Sequence, residues 1–225
     1  SAIVLSGGIS DTAANLAPSG TASSGLTNST TQDGDVAITI TGTAPTVTEL
    51  NKIASLTTGA VTASISGNKT TLAGLNTAST DAITATVTDA VTVAEFNTLD
   101  GKTSVGVILS GGVSDAAAAY AATNGTATSG RTAIAAQDED AALTVTDAAT
   151  VAQANSVATA TTGTVQFSGG ITDSTTNLMN GDSSAISTGL STAKTDDSDL
   201  VITANTAVTV AQFNLLDAAT SSAIV

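Results

Sequence analysis

The chain has no cysteine, no histidine and no tryptophan among its 225 residues, and aromatic residues make up only 2% of it. Without cysteine no disulfide can hold the fold together. Without histidine or cysteine, the Ser–His and Cys–His pairs and the imidazole and thiolate metal sites are all excluded. The core must therefore consist of thin layers of Val, Ile, Leu, Ala and the methyl groups of Thr.

Positive charge is also scarce, because five Lys and Arg residues face 19 Asp and Glu residues and the net charge is −14. Such a chain repels nucleic acid and anionic membranes at long range. No apolar run approaches the roughly 18–20 residues that a membrane span requires. The sequence predicts no nucleic-acid partner and no membrane insertion, and the acidic surface suits surroundings rich in salt or divalent ions.

A six-residue motif occurs four times, and its Val residues are separated by 46, 58 and 59 positions. In each copy a Thr precedes Glu or Gln by three positions, which is the capping box of a helix N-terminus. Apolar residues at three-residue spacing, such as Val93, Phe96 and Leu99, indicate one buried face of a short helix. The four predicted boxes are Thr46/Glu49, Thr92/Glu95, Thr150/Gln153 and Thr209/Gln212.

Runs of β-branched residues surround each motif and predict strands. These runs are Ile3–Leu5, Ala37–Ile40, Val61–Ile65, Ala82–Val87, Val107–Leu109, Ala142–Val145, Val165–Phe167 and Leu200–Thr203. One strand plus one short helix makes a coil of roughly 23 residues, within the range of solenoid repeats. The sequence thus predicts a repeat protein, an elongated parallel β-solenoid with short α-helices.

Smaller features complete the predicted coil. A Ser-Gly or Ser-Gly-Gly turn follows the first strand, and capped helix starts are predicted at Ser10-Asp11, Ser114-Asp115 and Thr172-Asp173. Three coils carry extra stretches rich in Ser, Thr, Gly and Ala, near residues 18–33, 123–138 and 181–197. Insertions of this kind are expected as loops on one face of a solenoid.

The repeat predicts one domain over residues 1–225, with sub-repeats 1–58, 59–105, 106–163 and 164–225. The tetrapeptide Ser1–Val4 has the same sequence as Ser222–Val225, and both stand at the same phase of the repeat. This match predicts that the chain is one segment of a longer array. The alternative is an ordinary chain end whose last strand begins alike.

Acidic residues are concentrated just before the second strand of three sub-repeats. Ca²⁺ takes six to eight oxygen ligands, which loop aspartates and backbone carbonyls can supply. The spacing matches neither the EF-hand nor the calcium-binding nonapeptide repeat, so solvated turn residues are the competing interpretation. The candidate calcium ligands are Asp33, Asp35, Asp138, Asp140, Asp197 and Asp199.

Tyr120 is the single tyrosine of the chain, and it stands at the repeat position that Leu16 and Leu178 hold in the other copies. It is therefore predicted to pack in the core.

Two stretches resemble known families. Thr144–Asn155, continued through Thr161–Val165, resembles very large repetitive surface proteins of marine cyanobacteria and other bacteria. Val93–Gly101 is similar to a repeat of phage tail-fibre-like proteins. Both resemblances imply an extracellular structural or adhesive role, and neither brings catalytic residues with it.

We therefore expect a protein that is not an enzyme and is located outside the cell or on its surface. The leading interpretation is a structural segment of an S-layer, surface filament or adhesin stalk, which joins identical copies end to end. The alternative is a carbohydrate- or surface-binding module, or a phage tail-fibre segment, that uses the insertions to bind cell-surface glycans. Calcium is the sole cofactor that the sequence suggests.

Overall fold

The computed structural model describes residues 3–222 and 224–225. Parts of the two matching tetrapeptides, namely Ser1, Ala2 and Ala223, lie outside the described residues. The described strands are β1 (Ile9–Thr12), β2 (Ile38–Thr41), β3 (Val61–Gly67), β4 (Ala82–Val87), β5 (Val107–Ile108), β6 (Val113–Asp115), β7 (Leu143–Val145), β8 (Val165–Phe167), β9 (Ile171–Asp173) and β10 (Ile202–Ala204).

Helices are interspersed with these strands along the described chain, and a short 3-10 helix lies at Pro18–Gly20. The α-helices are α1 (Ala13–Leu16), α2 (Ser24–Gln32), α3 (Val47–Ala54), α4 (Lys69–Leu72), α5 (Val93–Asp100), α6 (Ala117–Tyr120), α7 (Ser129–Gln137), α8 (Val151–Ala158), α9 (Thr175–Leu178), α10 (Thr188–Asp196) and α11 (Val210–Asp217).

The predicted elongated β-solenoid is wrong. The described strands form three separate parallel sheets, with orders β1-β2-β3-β4-β5, β6-β7-β8 and β10-β9. With eleven α-helices in the described chain, this is an α/β fold. The parallel pairing and most of the predicted strands are present, but Ile3–Leu5 is not a strand.

The Ser-Gly-Gly turns explain why the strands do not continue in one sheet. Gly170 follows β8 with a φ of 72°, a conformation open mainly to glycine. It turns the chain out of the three-stranded sheet, so that β9 starts a new pairing with β10. Gly112 has a φ of 74° at the start of β6. Where the sequence has Ser66-Gly67 without a second glycine, β3 runs on and pairs with β4 over six residues.

The chain divides into two compact units, residues 1–90 with 94–111, and residues 91–93 with 112–225. The first unit contains the five-stranded sheet, and its core includes Ile38, Ile53 and Ile83. The second contains the three- and two-stranded sheets. Its core includes Tyr120, which is fully buried and donates its hydroxyl hydrogen to the carbonyl of Val113 or of Thr144, 3.0 and 3.1 Å away. Packing was the predicted role of this tyrosine.

Three of the predicted capping boxes are present as predicted. Thr46, Thr150 and Thr209 are the N-caps of α3, α8 and α11, and in each the Glu or Gln side chain accepts a bond from the N-cap backbone. α5 begins directly after Thr92, at the predicted position. Each box satisfies backbone N–H groups that a helix start leaves without partners.

The three insertions are not loops, contrary to the prediction. Each contains a nine-residue helix, α2, α7 or α10, with Ser23, Thr128 or Ser187 as its N-cap. Two of these helices, α2 and α10, are rich in Ser, Thr and Gly, which have low helix propensity. Burial of an apolar residue, such as Leu190 in α10, compensates for that low propensity.

Candidate functional site

A carboxylate at the end of a strand caps the helix of the preceding coil. Asp173 closes β9, and its Oδ2 accepts a hydrogen bond from the backbone N–H of Val151 at 3.1 Å. Its Oδ1 accepts from the N–H of Ser174 at 2.8 Å and from Nδ2 of Asn177 at 2.7 Å. Val151 is the first residue of α8, so one carboxylate satisfies helix starts in two successive coils.

The same arrangement recurs along the chain. Asp115 accepts from the N–H of Val93 at 3.0 Å, and Asp147 accepts from the N–H of Ala117 at 2.6 Å. In the first unit, Asp89 accepts from the N–H of Lys69 at 2.6 Å. Each donor is the first residue of its helix. Acidic side chains near a helix N-terminus also interact favourably with the helix dipole.

These carboxylates correct the predicted helix starts. Ser10-Asp11, Ser114-Asp115 and Thr172-Asp173 lie in β1, β6 and β9, and the following helices begin two residues further on. The recurrence of Asp directly after Ile/Val-Ser/Thr was a signal for this role. Sequence reasoning missed it because the partner N–H group lies 22 residues away or more.

A threonine after each eight-residue helix (α3, α5, α8 and α11) connects neighbouring coils in a second way. Oγ1 of Thr161 donates to the carbonyl of Ala141 at 2.7 Å and accepts from the N–H of Gly163 at 2.8 Å. Gly163 then passes so close to the carbonyl of Asp140 that a Cβ atom would overlap it. Equivalent Thr bonds occur at Thr57, Thr103 and Thr220.

The six predicted calcium ligands lie in three pairs at the ends of the insertion helices. Asp33, Asp138 and Asp197 are the C-cap residues of α2, α7 and α10. Oδ2 of Asp33 accepts from the N–H of Leu5, and Oδ2 of Asp197 accepts from that of Phe167, both at 2.6 Å.

The second members of the pairs, Asp35, Asp140 and Asp199, are exposed to solvent. Among the described residues no three Asp or Glu side chains come close enough to hold a metal ion together. Two carboxylates at a site would leave most of the six to eight oxygens that Ca²⁺ takes to backbone carbonyls and water.

Burial raises the pKa of the Asp197 carboxyl, and the neighbouring Asp199 raises it further, while the hydrogen bond from the Phe167 backbone lowers it. Desolvation also raises the pKa of Asp196. The carboxylate of Asp197 is thus a buried hydrogen-bond acceptor, and its burial and the neighbouring Asp199 disfavour its charged form.

A groove with both polar and apolar walls, about 360 Å³ in volume, lies in the second unit, where Thr123, Asn124 and Gly189 of the insertions approach the first turns of α8. Asn155 faces this groove, and the described residues offer its side chain no hydrogen-bond partner. The equivalent Asn51 donates to the carbonyl of Gly74 and accepts from the N–H of Asn76, at 2.8 and 2.7 Å. The groove is lined by Thr123, Asn124, Thr150, Val151, Ala152, Asn155, Asp173, Asn177 and Gly189.

No family model, no curated protein and no solved structure matches this chain. Within the described part of the chain, no helix is both long enough and apolar enough to cross a membrane.

Proposed function

We propose that this chain is an extracellular structural segment of a surface assembly, such as an S-layer, filament or adhesin stalk, in which identical copies join end to end. It is not an enzyme. The observation that carries the proposal is the repeated use of Asp side chains as caps between successive coils. At Asp89, Asp115, Asp147 and Asp173 the carboxylate holds the backbone of a neighbouring coil.

This use of side chains favours a structural role. The reactive groups that the sequence does contain are largely carboxylates and hydroxyls, and many of them are bonded to backbone groups 20 or more residues away. At these four positions an Asp side chain accepts the backbone N–H of a preceding helix start, so the contact between neighbouring segments leaves that polar group paired. Salt outside the cell would screen the repulsion among the acidic side chains of this chain, whose net charge is −14.

The proposal is tested by the association state of the purified chain. Sedimentation equilibrium over a wide range of concentrations should show open-ended growth, and electron microscopy should show linear assemblies. A heterologous contact that does not close into a ring produces such growth. A monomer at every concentration, or a closed dimer that grows no further, contradicts end-to-end assembly.

The groove favours a second function, the binding of cell-surface glycans with the participation of the insertions. Asn124, Asn155 and Asn177 line it together with Thr123 and Thr150. Carboxamides and hydroxyls can both donate hydrogen bonds to sugar hydroxyls and accept hydrogen bonds from them. The insertions 123–138 and 181–197 contribute Thr123, Asn124 and Gly189 to the groove, and the rest of its lining comes from residues 150–155, Asp173 and Asn177.

A glycan array followed by calorimetry with the selected sugar tests this function. Asn155→Ala should weaken binding at least about tenfold, since it removes both a donor and an acceptor. Asn97→Ala is the matched control, because Asn97 occupies the same position of its helix and is absent from the groove lining. No bound glycan, or an equal effect of both variants, contradicts this function.

A further inference from the structure

The helix α11 carries an apolar face that is exposed, although the same face is buried in its sister helix. Val208, Val210 and Phe213 are 39%, 79% and 42% exposed. Their counterparts at α8 are Ala149, Val151 and Ala154, all of which are buried. The difference lies in the segment that follows α8 and packs against it.

The segment that covers α8 does so with three hydrogen bonds. Ala149 donates its N–H to the carbonyl of Gly170 at 3.0 Å and accepts from the N–H of Thr172 at 2.9 Å. The N–H of Val151 donates to Oδ2 of Asp173 at 3.1 Å. The part of the cover that bonds the helix start is therefore Gly170 to Asp173, which pairs in parallel with Ala149. Further along the chain α10 packs against α8 itself, with Gly189 beside Val151.

A second example occurs within the same unit. Val91 donates to the carbonyl of Gly112 at 3.2 Å and accepts from the N–H of Ser114 at 2.8 Å. The N–H of Val93 donates to Oδ2 of Asp115 at 3.0 Å. Two independent coils thus use one pattern, in which Gly-(Val/Ile)-(Ser/Thr)-Asp covers (Val/Ala)-Thr-Val.

The chain contains one more copy of each half of this pattern. Gly8-Ile9-Ser10-Asp11 has the covering sequence, and Val208-Thr209-Val210 has the covered sequence. β1 is the edge strand of its sheet, and Ile9 donates its N–H inwards to Ala37, so the N–H of Ser10 points to the open edge. Oδ1 of Asp11 accepts from the N–H of Thr12 and from Nδ2 of Asn15, as Oδ1 of Asp173 accepts from Ser174 and Asn177. Oδ2 of Asp11 has no hydrogen-bond donor among the described residues.

We propose that the apolar face of α11, formed by Val208, Val210 and Phe213, is the docking site for Gly8–Asp11 of a second copy of this chain. Three bonds follow from the internal examples. Val208 donates to the carbonyl of Gly8 and accepts from the N–H of Ser10. Val210 donates its N–H to Oδ2 of Asp11. This site rests on the end-to-end assembly proposed above and gives that assembly its contacts.

The docked geometry brings two identical dipeptides to one place. Ile224 pairs with Ile202 of β10, and Val225 donates its N–H to the carbonyl of Ile202 at 3.0 Å. In a docked copy, Ile3-Val4 reaches the same position, because it precedes Gly8 as Val165-Gln166 precedes Gly170. Ile3 and Val4 are exposed in the free chain. When the copies join, either Ile224-Val225 or the incoming Ile3-Val4 must therefore leave the position beside Ile202.

Sedimentation equilibrium of the full chain and its variants tests this site. Ser10→Pro removes only an outward N–H from an edge strand, where proline is tolerated, so self-association should weaken at least about tenfold with an unchanged unfolding midpoint. Ser114→Pro is its internal control and should lower the midpoint, because that N–H is already bonded to Val91. Phe213→Asp should also weaken association at least about tenfold, whereas Ile108→Asp, at a residue that is 43% exposed, should not.

Mixing the variants tests the direction of the contact. Ser10→Pro leaves the α11 face intact, and Phe213→Asp leaves Gly8–Asp11 intact, so together they should form a one-to-one complex that grows no further. Removal of residues 222–225 should strengthen self-association of the chain by roughly several-fold, because Ile224-Val225 then no longer competes with Ile3-Val4 of the docking copy for Ile202 of β10.

The outcomes separate the two proposals. A chain that associates equally well with Ser10→Pro and Phe213→Asp assembles through another contact, which overturns this site and leaves the proposed function standing. A chain that stays monomeric with and without residues 222–225 overturns both. Association that depends on Ser10 and Phe213 but stops at a closed dimer supports the site and contradicts the open-ended assembly.

Discussion

Oδ2 of Asp173 accepts a hydrogen bond from the backbone N–H of Val151, 22 residues earlier in the chain, at 3.1 Å. The same carboxylate accepts two more bonds through Oδ1, and its side chain is buried. Asp173 therefore connects the end of β9, the short helix α9 that follows it and the eight-residue helix α8 that precedes it. Related bonds at Asp89, Asp115 and Asp147 make this contact the recurring connection between coils.

Asp173→Ala should lower the free energy of unfolding by about 2–3 kcal/mol, because it leaves buried N–H groups without an acceptor. Urea denaturation followed by circular dichroism measures the change. Asp182→Ala is the control, since Asp182 is exposed and its carboxylate bonds to Ser184 within its own turn. A loss of stability that is equal in both variants contradicts a special role for Asp173.

Thr150→Ala should destabilise the chain by about 0.5–2 kcal/mol, because Thr150 Oγ1 accepts from the N–H of Gln153 at the start of α8. Thr150→Ser keeps the hydroxyl and should restore most of that loss. Thermal unfolding of the three proteins makes the comparison. If Ser and Ala at this position behave alike, the cap contributes nothing to stability.

The capping boxes and strands could be predicted from the sequence because their signals are local. Thr150 and Gln153 are three residues apart, and alternating or β-branched runs mark strands such as Val61–Gly67. The division into three sheets could not be predicted. It depends on Gly112 and Gly170, whose positive φ redirects the chain, and on pairing partners about 30 residues away.

The insertion helices and the Asp caps escaped prediction for a related reason. α2 consists of Ser, Gly, Leu, Thr, Asn and Gln, a composition typical of loops, and burial of Leu26 at a distant contact decides its conformation. The cap between Asp173 and Val151 joins residues whose proximity exists only after folding. The groove at Asn155 likewise combines α8 and the segment Asp173–Asn177 with parts of two insertions that are far apart in the chain.

Gly163→Ala should destabilise the chain by about 1–3 kcal/mol, because a Cβ atom at this position would overlap the carbonyl of Asp140. The close approach, rather than a positive φ, requires glycine here. Gly181→Ala is the matched control in the same unit, since nothing lies within 4 Å of its Cβ position. Urea denaturation of both variants should separate them clearly, and equal midpoints contradict the overlap.

The calcium site predicted at Asp33, Asp35, Asp138, Asp140, Asp197 and Asp199 stays a prediction that melting experiments can test. An ion that binds only the folded chain raises the unfolding midpoint by mass action. Millimolar CaCl₂ should then stabilise the chain more than NaCl at the same ionic strength, since the net charge of −14 makes screening alone stabilising. Equal midpoints in the two salts contradict the site.

Asp197 should make the folded chain less stable as the pH rises above the ordinary carboxyl pKa of 3.8. Burial raises its pKa in the folded state, so the folded chain binds a proton more tightly than the unfolded chain does. Stability contributed by that proton is present at low pH and is lost as the pH rises through the raised pKa.

Asp197→Asn should therefore be more stable than the parent at neutral pH and should show a flatter dependence of unfolding free energy on pH above 3.8. Its amide oxygen can still accept the hydrogen bond from Phe167. Urea denaturation at several pH values measures both effects. Asp140→Asn, at an exposed residue, is the control for the loss of one negative charge. If both variants gain the same stability at neutral pH, general charge repulsion rather than burial of Asp197 is the cause.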